Sequence, residues 1–233
     1  GIKISNPAEA SQFDYAVFRY GGAGCGWGCP PAEDMAMLRF AASPVDIRHS
    51  VIEHSLTFGM YSLNSSGVIT DSIFTEDYMA DQWFGFFALG IDGGSLLIRG
   101  NTFDNNKTGL SVFNGPHVVS GNVFTKNQTP VMFGSTNLAG TPTFNGNSAS
   151  GNAVNGITAA AITNDYTFKK DLPYVGTISV PAGKTITAEA GVVFKPTQGF
   201  AEDISGTFKT DGTALAPVVF TSLADDSYGG DTN

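Results

Sequence analysis

Residues 225–233 read Asp-Asp-Ser-Tyr-Gly-Gly-Asp-Thr-Asn and form an acidic, glycine-bearing segment of the 233-residue chain. Asp225, Asp226, Asp231 and Asn233 offer carboxylate and amide oxygens, which are the hard ligands that calcium prefers. Backbone carbonyls of a loop that can wrap an ion would complete the coordination. The segment therefore predicts a Ca²⁺ site, with a solvated acidic turn as the alternative.

The chain has two cysteines, Cys25 and Cys29, which enclose the tripeptide Gly-Trp-Gly. The glycines leave the backbone free to curl, so we predict a disulfide within this loop. The alternatives are unpaired thiols or a metal site. Zinc would need further partners such as histidine, and catalytic dithiols usually have two residues between the cysteines. Because the loop is short, the bond would stabilise the fold by about 2 kcal/mol.

Two tryptophans, Trp27 and Trp83, are the candidate carbohydrate contacts, because exposed aromatic rings stack on sugar rings. Trp83 lies among phenylalanines in residues 78–94, the stretch that carries an insertion relative to the repeat described below. The alternative is that these aromatic residues belong to a strand whose rings face the core.

One nine-residue pattern recurs five times between residues 45 and 152, and it predicts the elements that would position these side chains. Successive copies begin 22, 29, 21 and 25 residues apart. A self-similar period in this range indicates a solenoid. The copies are residues 47–55, 69–77, 98–106, 119–127 and 144–152.

The columns of the aligned copies separate apolar from small polar residues. The first and sixth columns are apolar or nearly so, which predicts that they face the core. The fourth and ninth columns hold small polar residues, which suit turns, and asparagine and aspartate also tolerate left-handed backbone. We expect these polar columns to form ladders along the long axis, so that Asn122→Leu costs about 1–3 kcal/mol. The first column is Ile47, Ile69, Ile98, Val119 and Phe144; the sixth is Ile52, Phe74, Phe103, Phe124 and Ala149; the fourth is Ser50, Ser72, Asn101, Asn122 and Asn147; the ninth is Ser55, Asp77, Asn106, Asn127 and Asn152.

A second short element follows each copy, at residues 58–61, 84–87, 108–111, 130–133 and 155–158. Short runs bounded by asparagine, glycine and serine are typical of strands. Two or three short strands per turn, stacked in parallel, make a parallel β-helix, in which neighbouring coils bury one another's apolar face. The predicted fold class is therefore all-β.

Composition agrees with a turn-rich β protein, since the chain has 29 glycines and only 14% charged residues. A formal net charge of −9 argues against nucleic acid as a partner, because nucleic-acid binders carry a basic face. No apolar run is long enough to span a bilayer, and no secretory signal is visible at residue 1.

The outward-facing columns do not place two acidic residues in adjacent coils of one column, the arrangement expected of a β-helix lyase or hydrolase. Glu53, His54, Glu76 and Asp77 could still converge across a corner, with a solvated polar face as the alternative. His117 is expected to be a turn histidine and not a catalytic base. We therefore expect no enzymatic activity.

Residues 175–222 contain the segments "GTISVPAGKTITAEAGVVFK" and "GTFKTDGTALAPVVFTS". These stretches closely resemble the opening coils of bacterial secreted right-handed parallel β-helix repeat proteins, in the pectate-lyase-like superfamily. The copies between residues 47 and 152 resemble the later asparagine-ladder coils of the same family. The resemblance implies coils over 1–158 and the opening coils of a following repeat unit over 172–233. The alanine run that begins at residue 159 predicts a connector over 159–171.

Proteins of this kind include surface proteins, adhesins, lyases and hydrolases, so the fold alone does not fix the function. We expect a non-catalytic structural or adhesive segment at the bacterial cell surface. The alternative is a carbohydrate-active β-helix that binds or cleaves an acidic polysaccharide. In similar proteins a segment like 216–233 precedes a strand like 1–5, which implies that copies of this unit follow one another in one chain or head to tail in a filament. The expected partners are therefore another copy and a surface polysaccharide.

Overall fold

The structure is a computed structural model that describes residues 1–22, 32–77, 87–135, 140–197 and 203–233. These residues form 25 strands and one short 3-10 helix, Ala32–Met35. The strands are β1 (Ile2–Ser5), β2 (Ser11–Asp14), β3 (Val17–Arg19), β4 (Leu38–Ala41), β5 (Pro44–Arg48), β6 (Val51–Glu53), β7 (Met60–Thr70), β8 (Ile73–Thr75), β9 (Leu89–Arg99), β10 (Thr102–Asp104), β11 (Thr108–Val112), β12 (Val118–Ser120), β13 (Val123–Thr125), β14 (Thr129–Ser135), β15 (Thr143–Asn145), β16 (Ser148–Ser150), β17 (Ile157–Ile162), β18 (Tyr166–Phe168), β19 (Tyr174–Val175), β20 (Ser179–Val180), β21 (Thr185–Glu189), β22 (Val193–Lys195), β23 (Asp203–Ile204), β24 (Thr207–Asp211) and β25 (Val219–Phe220).

The strands pair in parallel with their counterparts one turn of the chain away, which makes the molecule a parallel β-helix. One long sheet runs β1-β4-β7-β9-β11-β14-β17-β19-β22-β25 from one end of the described chain to the other. A second face is the six-stranded sheet of β16, β13, β10, β8, β6 and β3. The described chain passes through nine coils, and β25 begins a tenth.

The predicted register of the repeat is confirmed. Ile47 pairs with Ile69 and Ile69 with Ile98, and this first-column row continues to Val119 and Phe144. The sixth column forms a second row from Ile52 to Ala149. Both rows are buried in the main core, except for the partly buried Ala149. Each coil therefore contributes two apolar residues that only its neighbours can cover.

The N-terminal segment adds a sixth copy of the pattern. Phe13 pairs with Ile47 and Phe18 with Ile52, so the two phenylalanines occupy the first and sixth columns. The chain turns between them at Tyr15, whose φ is 53°. The segment therefore forms two strands, β2 and β3, separated by a corner.

The left-handed backbone lies one residue before each ladder column, in the third and eighth columns. In the third column φ is 53° at Tyr15, 44° at His49 and 51° at Asp71, and later copies have glycine there. The eighth column has φ between 54° and 56° at every non-glycine member, beginning with Tyr20 and His54. Left-handed backbone was expected in the asparagine columns. The asparagines instead hydrogen-bond neighbouring coils together.

Two predicted boundaries differ from the structure. Met60 pairs with Leu89, so the strand after the second copy is β9 and not residues 84–87. The insertion that lengthens this coil displaces the strand along the chain, and residues 84–86 lie outside the described residues. Residues 159–171, expected to be a connector, include most of β17 and all of β18, which pair with β14 and β21.

The last coils are built around an aromatic cluster. The ring of Phe168 lies 4.8 Å from that of Tyr166, 4.6 Å from Tyr174 and 5.0 Å from Phe194, each in an edge-to-face arrangement. Such pairs add about 0.5–1.5 kcal/mol each beyond the burial of their area. No helix in the described part of the chain has the length and apolar character needed to cross a membrane.

Candidate functional site

A row of aromatic and charged side chains lies on the corners of the first three coils, and we call it the corner surface. Tyr15 stacks on His49 with ring centroids 4.8 Å apart and an interplanar angle of 12°. Tyr20 stacks on His54 at 4.9 Å and 2°. The tyrosines remain 77% and 69% exposed. The corner surface consists of Asp14, Tyr15, Arg19, Tyr20, His49, Glu53, His54 and Glu76.

Ion pairs occupy the carboxylates of the corner surface. Arg19 Nη2 lies 2.7 Å from Glu53 Oε1, and its guanidinium carbon is 5.1 Å from the centre of the Tyr20 ring. His54 Nδ1 lies 2.8 Å from Glu76 Oε2. His49 Nδ1 lies at the same distance from Asp14 Oδ1. The surface therefore presents flat rings framed by paired charges.

The backbone of the corner surface is strained. A left-handed conformation costs a residue with a side chain roughly 1–2 kcal/mol relative to a right-handed one. Later copies avoid this cost in the third column with Gly100, Gly121 and Gly146. The first coils keep tyrosine and histidine at the equivalent corners. Strain of this kind is retained where a side chain has a role, so it marks the corner surface as a candidate functional site.

The four residues that sequence analysis placed together do not converge into one open site. Glu53, His54 and Glu76 lie on the corner surface in the ion pairs described above. Asp77 points into the molecule instead, and only 1% of it is exposed. The repeat alignment indicates this burial, because Asp77 occupies a ladder column whose later members are asparagines.

The predicted polar ladders are confirmed, and their geometry repeats from coil to coil. In the fourth column the backbone N–H and the Nδ2 of Asn101 both donate to Asn122 Oδ1 at 3.0 Å. Asn101 Nδ2 also donates to the carbonyl oxygen of Ile69 at 2.9 Å. Asn122 is fully buried and makes the same set of bonds with Ile98 and Asn147.

Each ladder has a direction and a defined end. The backbone N–H of each member donates to an acceptor further along the chain, and each asparagine Nδ2 also donates to a carbonyl oxygen of the preceding coil. The fourth-column ladder ends on Asp171, whose two carboxylate oxygens accept from the backbone N–H and the Nδ2 of Asn147 at 2.9 and 2.6 Å. The ninth-column ladder ends on Asn155, which donates to the carbonyl oxygens of Asp231 and Thr232. The C-terminal segment thus closes this ladder.

Lys195 fixes the C-terminal segment from inside. Its side chain is fully buried, and Nζ donates to the carbonyl oxygens of Asp225 and Gly230 at 2.9 and 3.0 Å. The third donor reaches Thr232 Oγ1 at 2.5 Å. An ammonium has three donors, so all of them are satisfied. Sequence reasoning missed this role, because nothing in the segment around Lys195 distinguishes it from a surface lysine.

The predicted calcium ligands Asp225, Asp226, Asp231 and Asn233 all lie in this C-terminal segment. The Asp225 carboxylate accepts from the Ser227 hydroxyl and from Thr221 Oγ1, both at 2.5 Å, and these bonds lower the pKa of Asp225. The described residues contain no group of three or more histidine, cysteine or acidic side chains placed to hold a metal ion. The calcium site stays a prediction.

The other predicted site residues separate into buried and undescribed ones. His117 is fully buried, and its Nδ1 accepts from the Leu96 N–H at 3.1 Å while Nε2 donates to the Asn114 carbonyl at 2.5 Å. Burial lowers the pKa of His117, so the ring is neutral and holds the turn before β12. The predicted Cys25–Cys29 disulfide and the carbohydrate-contact candidates Trp27 and Trp83 lie outside the described residues.

The clefts found between described residues are small. One of about 220 Å³ is lined by the Asn155 end of the ladder and by the C-terminal segment. Another of about 260 Å³ lies between β18 and β21. Both are below the roughly 300–1,000 Å³ of most small-molecule sites. The corner surface, which is open and flat, is the better candidate for contact with a partner.

Parallel coils, stacked apolar rows and asparagine ladders together define a β-helix solenoid. The model of the family described as "Right handed beta helix region" matches residues 36–171, which is more than half of the chain. The chain therefore belongs to this family, and the expected right-handed parallel β-helix is confirmed. A search of curated proteins and a search of solved structures each returned no significant match.

Proposed function

We propose that the chain is a non-catalytic structural or adhesive segment of a bacterial cell-surface protein, whose coils continue into another copy of the same unit. The observation that carries this proposal is the exposure of apolar residues on the first and last coils. Each exposes apolar residues on strands that, among the described residues, pair with a neighbour on one side only. Ile2 is 49% exposed, Val17 59%, Ile204 51% and Phe220 53%.

The two edges are complementary in type. β1 pairs on one side with β4, and β25 pairs on one side with β22. Both strands belong to the same long sheet, so β25 of one copy can pair with β1 of the next without changing the sheet. Such pairing would cover apolar residues and satisfy backbone groups that otherwise invite uncontrolled strand addition. The contact is heterologous, so it would build an open fibre unless its rotation closes a ring.

Sedimentation velocity over a range of protein concentrations tests the head-to-tail form of the proposal. We expect concentration-dependent assembly of the native chain and loss of assembly in Phe220→Lys. Ile73→Lys is the matched control, because Ile73 is 43% exposed but lies on a coil in the middle of the stack. Equal assembly of both variants would contradict the proposed contact.

A covalent tandem, with Asn233 of one copy joined to Gly1 of the next, tests continuation within one chain. If the coils continue, the tandem unfolds as one unit at a higher thermal midpoint than the single copy, because the junction buries both edges. A native chain that stays monomeric, together with a tandem that melts at the midpoint of the single copy, would overturn the proposal.

The corner surface favours one second candidate, a carbohydrate-active β-helix that binds or cleaves an acidic polysaccharide. Two exposed tyrosine rings, each backed by a histidine, are flat platforms on which sugar rings could stack. Arg19 adds a cation next to Tyr20. Retardation in a native gel containing polygalacturonate, abolished by Tyr20→Ala and not by Tyr228→Ala, would favour this candidate. Release of new sugar ends would distinguish cleavage from binding.

A further inference from the structure

The ninth-column ladder contains one acidic member, Asp77, where the next three coils carry asparagine. Asn106, Asn127 and Asn152 make identical bonds. In each, the backbone N–H and Nδ2 donate to a side-chain oxygen further along the ladder, and Nδ2 also donates to a sixth-column carbonyl oxygen of the preceding coil. These distances are between 2.8 and 3.0 Å. Each Nδ2 therefore faces two acceptors.

Asp77 is held in the same frame. Its backbone N–H donates to Asn106 Oδ1 at 3.1 Å, and its Oδ1 accepts from the Ser55 N–H at 2.7 Å. Its Oδ2 takes the place of the amide nitrogen. The acceptors at that place are Asn106 Oδ1 and, by the register of the ladder, the carbonyl oxygen of Ile52. Asp77 Oδ2 is buried and has no hydrogen-bond partner among the described residues.

Rotation of the Asn106 amide by 180° does not satisfy all the hydrogen-bonding groups around Asp77 Oδ2. It would turn Nδ2 toward Asp77 Oδ2, but it would also turn Nδ2 toward the Asp77 N–H. The rotated Asn106 oxygen would then face two acceptors, Phe74 O and Asn127 Oδ1, which now receive hydrogen bonds from Nδ2 at 3.0 Å each. One unsatisfied contact, at Asp77 Oδ2, would be replaced by three contacts between two donors or two acceptors.

We infer that Asp77 is a neutral carboxylic acid in the folded protein, whose Oδ2–H donates to Asn106 Oδ1 and so joins the third coil to the fourth. A protonated carboxyl has one O–H donor and one acceptor oxygen, which is the pattern of the asparagine side chain that the ladder requires. The hydrogen bond between these two coils requires this proton, so it is lost when Asp77 is deprotonated at high pH.

The surroundings of Asp77 favour the neutral form. The pKa of Asp77 is raised to about 8: burial raises it most, the hydrogen bond from the Ser55 N–H lowers it, and the charge of Glu53 raises it. On the neighbouring corner, Arg19 pairs with Glu53, and His54 Nδ1 lies beside Glu76. On the following coil, Asp104 accepts from Thr125 Oγ1, and the Lys107 backbone N–H donates to the Asp77 carbonyl.

The sign of the pH effect follows from the raised pKa. An aspartate in an unfolded chain has a pKa near 3.9. Below that value both states are protonated and the contribution of Asp77 is fully present. As pH rises toward 8, unfolding releases the proton, so the folding equilibrium constant falls by up to tenfold per pH unit. Above about pH 8 both states are ionised and the loss levels off. Most acidic residues in folded proteins act in the opposite direction.

Two measurements on the full chain test this inference. In Asp77→Asn the amide supplies the donor at every pH. We expect the difference in unfolding free energy between this variant and the native chain to widen from pH 5 to pH 8 and then to stay constant. Asp71→Asn is the matched control, because Asp71 is an exposed aspartate on the same coil. Its difference from the native chain should not change with pH.

Carboxyl ¹³C chemical shifts report the protonation state directly. We expect one aspartate, absent from the spectrum of Asp77→Asn, to remain protonated at pH 6.5 and to titrate near pH 8. A carboxyl of Asp77 that titrates near pH 4 would overturn the inference. So would a stability difference that is the same at pH 5 and pH 8.

Discussion

The coils of residues 47–152 and the coils after residue 165 keep their register by different means. In the first region, amide ladders connect each coil to the next, and equivalent rings lie directly over one another. Phe74 and Phe103 stack at 4.9 Å and 14°, and Phe103 and Phe124 at 4.9 Å and 9°. In the second region edge-to-face contacts predominate: Phe168 meets Tyr174 at 70° and Phe194 at 89°, and only at the end of the stack do Phe194 and its paired Phe220 lie face to face, at 4.9 Å and 20°.

This difference shows what a ladder does for packing. Parallel strands lie about 4.8 Å apart, so a row held strictly in register must place identical side chains at that spacing. Stacked phenylalanines fill the row because the ladder prevents any coil from slipping. Where rings from different strands interlock instead, their edge-to-face contacts fix the coils by shape. One region is therefore specified by hydrogen bonds and the other by interlocking rings.

The largest expected effect comes from breaking the aromatic region. Phe168→Ala removes a fully buried ring from the centre of its cluster and should lower the free energy of unfolding by about 4 kcal/mol. We expect denaturant unfolding to divide into two transitions, with the coils after residue 159 lost first. Hydrogen exchange assigns the transitions to residues. Leu215→Ala, at a side chain that is 99% exposed, is the control and should change stability by less than about 0.5 kcal/mol.

Breaking the ladder should cost somewhat less. Asn122→Leu deprives the Asn101 donors of their acceptor and leaves Ile98 O without its donor, so we expect a loss of about 3 kcal/mol. In contrast to Phe168→Ala, the damage should spread to coils on both sides, because each ladder bond joins neighbours. Asn145→Leu, at an exposed asparagine of β15, should be nearly neutral. Equal destabilisation by both variants would show that the ladder does not carry the effect.

Removing the buried ammonium should have a smaller and local effect. Lys195→Met leaves the carbonyls of Asp225 and Gly230 without their donor, but these residues are near solvent and water can replace it. We expect a loss of about 2 kcal/mol and faster hydrogen exchange confined to residues 225–233 and the adjoining Asn155. Lys209→Met, at an exposed lysine of β24, should leave the exchange pattern unchanged.

Calcium gives the smallest expected effect. If the predicted ligands bind calcium with the millimolar affinity of many extracellular modules, a calcium concentration ten times the Kd stabilises the fold by about 1.4 kcal/mol. The double variant Asp226→Asn and Asp231→Asn should lose this gain. An unchanged thermal midpoint of the native chain, after calcium is added to a chelated sample, would remove the site from consideration.

The sequence contained the register of the repeats because its two signals have the same period. Apolar side chains at the first and sixth columns and small polar ones at the fourth and ninth can be satisfied together in one alignment only. The strand after residue 77 was misplaced because the insertion carries as many aromatic residues as a strand does. Residues 159–171 were mistaken for a connector because their run of alanines has no polar alternation.

The candidate site was harder to predict, because it depends on which coil lies beside which. Tyr15 and His49 are 34 residues apart and meet only after two coils are stacked. Asp77 reads as a surface acid until its column is aligned with the asparagines that follow it. Lys195 has no such column, and its role depends on a segment about 30 residues further along the chain.

The backbone N–H groups of the ladder columns donate toward the C-terminus, and this direction bears on how the protein is synthesised. A coil that has just left the ribosome holds N–H donors whose acceptors belong to the coil that has not yet been made. Each coil therefore remains incomplete until its successor arrives, and its completion leaves the same requirement one coil further on. Asp171 and the carbonyls of Asp231 and Thr232 end this succession, because they accept these hydrogen bonds and the ladders do not continue beyond them. The growing chain would thus acquire its order from the N-terminus onward, with a reactive edge that moves along it until those acceptors emerge.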